Sequence, residues 1–164
     1  MNKNILTFLT IAFVLVLTSC GKYEDGPFFS IRSKNARLIG EWELVKSERT
    51  KVDLDGNSRK ETFDGSVMVI VSSFGNSSES YTYSSTWKID GDNNSVVMNT
   101  TKDGESYSIT TLWNWENGSS KKEMLNIDGK IYRIVRLTNK ELIIESLYNW
   151  NSYSDKSKLT FEKK

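Results

Sequence analysis

The sequence contains no histidine, a single cysteine and a single proline in 164 residues. Without an imidazole base it cannot assemble a serine or cysteine triad, and it lacks the Cys/His sets that structural zinc prefers. One thiol cannot build a disulfide framework. An excess of either charge is also missing. The 22 basic side chains meet 21 acidic ones, so the chain has no basic surplus of the kind that holds nucleic acid. Phosphate-cradling glycine loops are absent. What is present is 12% aromatic residues and an apolar content broken up by Ser, Thr and Asn. That composition, at a length of about one domain, suits a strand-rich fold.

The first twenty residues form a separate unit. Met1-Asn2-Lys3-Asn4 is basic, Ile5 to Leu17 is an uncharged run of 13 residues, and Thr18-Ser19-Cys20 follows. This is the layout of a secretory signal peptide over residues 1–19. As a helix the run would reach only about 20 Å, against a hydrocarbon core of about 30 Å. Leu17-Thr18-Ser19-Cys20 resembles the lipobox of bacterial lipoproteins. That resemblance implies cleavage before Cys20, diacylglycerol on its thiol, and further acylation with a fatty acid such as palmitate. The expected address is the cell envelope, at the periplasmic face or surface of an outer membrane. The mature chain would have 164 − 19 = 145 residues with 21 charges of each sign, so its membrane attachment must come from the acyl chains. Residues 20–30, with two glycines and the sole proline, read as a lipidated tether ahead of a folded domain over 31–164. Lys22-Tyr23-Glu24-Asp25 loosely resembles acidic surface-export signals.

Residues 31–38 fit a short helical turn, capped by Ser30 or Ser33. Beyond Gly40 the pattern is alternation. Tyr81, Tyr83, Trp87 and Ile89 share one face of a strand; Tyr107, Ile109, Trp113 and Trp115 repeat this, as do Leu142, Ile144, Tyr148 and Trp150. Val67 to Val71 is apolar on both faces and reads as central. Six of the ten glycines follow aspartate, marking tight turns that need positive φ, and Asp128-Gly129 is the best hairpin among them. The runs between turns predict strands near 41–53, 57–64, 66–73, 79–89, 95–101, 105–116, 121–127, 130–137, 141–150 and 157–163. Short connections make neighbours antiparallel. The expected fold is therefore all-β: an antiparallel up-and-down barrel of about 8–10 strands, with a sandwich as the alternative. The face opposite the aromatics is polar, unlike the lipid-facing wall of a membrane barrel.

Leu38-Ile39-Gly40-Glu41-Trp42 resembles the entry strand of lipocalin-like proteins. Trp87 to Gly91, Tyr132 to Ile144 and Leu159 to Lys163 resemble later strands of the same group, in the same order. The match is with small bacterial lipocalin-like lipoproteins. It implies a lipocalin-like barrel in which Gly40 and Trp42 close one end, with Trp42 packed in the core.

Chemistry is less legible. Asp90-Gly-Asp92-Asn-Asn94 and Asp53-Leu-Asp55-Gly-Asn57 alternate oxygen ligands but lack the remaining calcium-loop positions, so both read as turns. No metal or cofactor is expected. Glu116, Glu123 and Glu145 could supply a hydrolase's carboxylate pair, yet no spacing selects two of them. A near-repeat remains: Leu112-Trp113-Asn114-Trp115 and Leu147-Tyr148-Asn149-Trp150. Aromatics beside amides can stack on a sugar or line a lumen mouth. The expectation is a noncatalytic, membrane-anchored module that accepts a small apolar or glycan-like ligand through Trp113, Trp115, Tyr148 and Trp150. The alternatives are a filled barrel that meets an envelope protein partner, and a carboxylate-dependent hydrolase.

Overall fold

Alternating strands joined by Asp-Gly turns can satisfy their backbone only by pairing with sequence neighbours. A computed structural model, which describes residues 33–116, 123–150 and 153–164, shows this arrangement. Cys20, the leader and the tether lie outside the described residues. A short helix α1 (Lys34–Leu38) leads into ten described strands. They are β1 (Gly40–Val52), β2 (Ser58–Phe63), β3 (Val67–Ser72), β4 (Ser77–Asp90) and β5 (Ser95–Lys102), then β6 (Glu105–Glu116), β7 (Met124–Ile127), β8 (Lys130–Leu137), β9 (Glu141–Trp150) and β10 (Tyr153–Lys163). Each strand is antiparallel to the next, and β10 pairs with β1 to close the ring. The fold is thus an all-β, up-and-down barrel rather than a sandwich. At Asp103-Gly104 and Asp128-Gly129 both residues have positive φ (49° and 86°, 53° and 76°), the primed turn that matches strand twist.

The ring is not uniform. The first residues of β1, Gly40–Glu43, pair with Thr86–Ile89 of β4, whereas Ser47–Val52 pair with β2. One end therefore closes around eight strands, and the β2–β3 hairpin widens the other to ten. Helix α1 covers the narrow end. Ser33 caps it by accepting from the Ala36 N–H, and Leu38 is fully buried. Its last carbonyls are satisfied by the barrel: Lys163 Nζ donates to Arg37 O (3.0 Å) and Ile39 O (2.7 Å), and Trp42 Nε1 donates to Leu38 O (2.7 Å). Arg37 returns the contact, donating to Leu137 O at 2.6 Å. Gly40 sits at φ 135°, and a Cβ there would come within 2.6 Å of Lys163 Cε.

Inside the narrow end lies a packed plug of Trp42, Trp87, Ile89, Leu142 and Phe161, with Trp87 and Phe161 centroids 4.6 Å apart. The outer wall carries charges in pairs, such as Lys46–Glu48 (3.0 Å) and Arg136–Glu141 (2.8 Å). Two expectations shift in detail. In a closed ring only the inner face is core, so Met68 and Ile70 are buried while Val71 on the outside is 51% exposed. Tyr107 and Ile109 are also about half exposed, at 51% and 50%. The reason is register: among the described residues, 105–112 of β6 pair only with β5, and β7 begins pairing at Trp113.

Candidate functional site

Along the inner wall, side chains change character from the narrow end to the wide end. β1 presents Trp42 and Leu44, then Ser47, Arg49 and Lys51; β4 presents Ile89 and Trp87, then Ser85 and Tyr83. β10 presents Phe161 and Leu159, then Ser157 and Asp155. Across the register this makes three zones: an apolar plug, a girdle of hydroxyls, and a charged mouth. In the girdle Ser85 and Thr100 hydroxyls lie 3.3 Å apart and those of Ser146 and Ser157 2.8 Å apart, all four residues buried. Such cross-strand pairs satisfy hydroxyls that would otherwise be costly to bury.

Above the plug is a cavity of about 190 Å³ that opens to solvent. Leu44, Met68 and Trp87 form its apolar side; Arg49, Glu61, Tyr83, Lys130, Tyr132 and Ser157 form its polar side. Arg49 makes a two-pronged bridge to Asp155, Nε to Oδ1 at 2.9 Å and Nη2 to Oδ2 at 2.5 Å. Its Nη1 also lies 3.9 Å from Glu61, which Arg59 approaches at 3.0 Å. The Arg49 hydrogen bonds hold the Asp155 carboxyl below its ordinary value, against the opposing effect of burial. Burial pushes the Tyr132 phenol up to about 12. Lys130 is pushed down chiefly by burial, which Asp155 opposes; the like charges of Arg49 and Lys51 add to the lowering and Glu61 opposes it. Its ammonium lies 5.4 Å from the Tyr132 ring centre.

A larger groove, about 830 Å³, runs outside β1, β8, β9 and β10. Three of its charges, Arg133, Glu145 and Lys158, are engaged with one another. Glu145 takes a hydrogen bond from Arg133 at 2.6 Å and lies 3.2 Å from Lys158. Burial alone would raise the Glu145 carboxyl, but these two partners outweigh it and hold it low, which ill suits a proton donor.

The residues singled out by sequence fall in several places. Trp113 is 4% exposed and donates its indole N–H to Asp90 O at 2.8 Å. Trp115 meets Trp113 edge-on at 6.0 Å, donates to Asn35 Oδ1 at 2.6 Å, and carries Lys34 over its ring at 4.2 Å. Trp115 thus fastens α1 and Trp113 the end of β4, and neither lines the cavity. Tyr148 and Trp150 stand on the inner-face phase of β9, opposite Asp155 and Tyr153, but their side chains lie outside the described residues. Asp53 and Asp90 each accept N–H groups from their own turns, at 2.8 Å from Asn57 and from Asp92.

Sequence reasoning missed the girdle and the mouth. A signal existed: Ser85 and Ser146 each interrupt an inward apolar alternation. Arg49 was hidden by a bulge between Leu44 and Lys46, which moves the inward phase of β1 from even to odd numbers. Comparison of the chain with family models, curated proteins and solved structures finds no match.

Proposed function

We propose that this chain is a lipid-anchored cell-envelope protein whose barrel is a noncatalytic binding module for a small polar, glycan-like ligand, received in the wide-end cavity. The observation that carries this reading is the composition of the cavity wall. Hydroxyls and charges beside aromatic faces are what a sugar ring needs, since it offers hydroxyls at its edge and C–H groups on its faces. A purely apolar ligand would strip water from Arg49, Glu61 and Lys130 without replacing its hydrogen bonds. The volume, about 190 Å³, is below the roughly 300–1,000 Å³ of drug-sized sites and suits a single ring rather than an acyl chain.

The anchoring half rests on Leu17-Thr18-Ser19-Cys20 and the apolar run before it. Kinship with bacterial lipocalin-like lipoproteins rests on the Gly40-x-Trp42 entry and the closed antiparallel ring it opens. Trp87 borders the cavity, so intrinsic fluorescence is the test. Titration with monosaccharides should give a saturable change, and long-chain fatty acids should give none. Response to fatty acids alone, or to no member of the panel, would contradict the reading.

A second reading is supported by the hairpin tips at the wide end. Ser58 N–H donates to Ser73 Oγ at 2.7 Å, which ties two turns carrying Leu54 and Phe74, 68% and 73% exposed. An envelope protein partner could dock there. Cross-linking to such a partner, abolished by Phe74→Ser, would favour it.

A further inference from the structure

The mouth holds more positive than negative charge, and its cations are unequally partnered. Two cations, Arg49 and Lys51, and two anions, Asp155 and Glu61, act on the Lys130 ammonium across it, Asp155 most strongly. Both anions are already claimed. Asp155 is bound in the two-pronged bridge to Arg49, and Glu61 is shared between Arg49 and Arg59, a fourth cation at the rim. Lys130 has no ion-pair partner among the described residues. Its ammonium is half-buried at the cavity wall, with the Tyr132 ring as its neighbour.

A half-buried ammonium with no ion pair is destabilised there by loss of water, and the cheapest remedy is an anion beside it. We propose that the ligand of this cavity is a small carboxylate-bearing sugar, its carboxylate seated against the Lys130 ammonium. This rests on the reading of the cavity as a sugar site and narrows it to one charge class. The small volume sets the ligand's size and the hydroxyl girdle meets its ring. The surplus cation sets its sign. Arg49 is held by Asp155 and contributes field rather than a free fork, so the carboxylate meets a point charge. The whole chain carries a formal charge of only +1, so the attraction is local to the mouth.

The test is calorimetric titration of the full chain in detergent micelles with three sugars matched in shape: glucuronate, glucose and glucosamine. Glucuronate should bind at least tenfold more tightly than glucose, and glucosamine more weakly than either. Lys130→Gln should abolish the preference, so that glucuronate and glucose bind the variant with equal affinity. Equal binding of glucose and glucuronate overturns the charge assignment while leaving the sugar site standing. A glucuronate preference that survives Lys130→Gln also overturns it, because the anion then sits elsewhere. Binding of none of the three overturns both. Lys51→Gln is the second variant, should the first not fold: it should weaken glucuronate several-fold, and an unchanged affinity counts against the proposal.

Discussion

Asp155 is the residue on which the mouth turns, because it fixes Arg49 inside the barrel. It is 8% exposed and its only described ion-pair partner is that guanidinium. Asp155→Asn should cost about 2 kcal/mol at pH 7, the scale of a hydrogen bond between charged groups, read from urea unfolding. The pH dependence has a definite sign. Its folded pKa lies below the ordinary 3.8, so the stabilisation is complete above that value and lost as pH falls through the folded one. The two proteins should therefore converge in strong acid, and a gap that persists there would argue against the bridge. Tyr132 works at the other extreme. Its phenol titrates near 10 when unfolded and about 12 when folded. The stability it supports is complete below pH 10 and declines towards pH 12, by roughly 2–3 kcal/mol. Tyr132→Phe should remove that share of the alkaline loss. None of this was legible in the sequence, where Arg49, Asp155 and Tyr132 look like ordinary strand residues. Pairing Arg49 with Asp155 takes two strands far apart in the chain and a bulge that changes the phase of one.

At the scale of elements, the strands were readable and their inner faces only partly so. Period-two alternation and the Asp-Gly turns gave the ten strands to within a few residues, because both signals are local. β10 began earlier than expected, at Tyr153, since its first residues are held by pairing with β9 rather than by an apolar pattern of their own. Bulges are different. Those between Leu44 and Lys46 and between Ile134 and Arg136 shift the phase without any marker such as glycine. The near-repeat around Trp113 and Trp115 illustrates the limit from the other side, for the same indoles fit a rim or a seat for a helix. Asn35 Oδ1 of α1 takes the Trp115 N–H, and Asp90 O at the end of β4 takes that of Trp113. Gly40 is the element-scale test. At φ 135°, with Lys163 Cε in the way of a Cβ, Gly40→Ala should lower the urea midpoint by the equivalent of about 1–3 kcal/mol. A variant as stable as the parent would show that the α1–β1 junction is not held as described.

For the whole molecule, the barrel closes around eight strands below and ten above, which puts the plug and the cavity at opposite ends. Helix α1, nearest the proposed anchor in sequence, sits at the plugged end. An anchored barrel can therefore present its mouth away from the bilayer. Cys20→Ala should abolish incorporation of labelled fatty acid and release the chain from membranes; unchanged labelling would remove the anchor from the account. The proposed lipobox rests on four adjacent residues, Leu17 to Cys20. The cavity was not legible in the sequence, since its wall is assembled from six strands.

The claim that the wide-end cavity is the binding site is tested most directly by nuclear magnetic resonance of the full chain in micelles during glucuronate titration. The account predicts shifts at Ser47, Glu61, Tyr83 and Ser157, with the indole N–H signals of Trp113 and Trp115 unmoved. Shifts centred on those two indoles, with the lumen serines still, would contradict it.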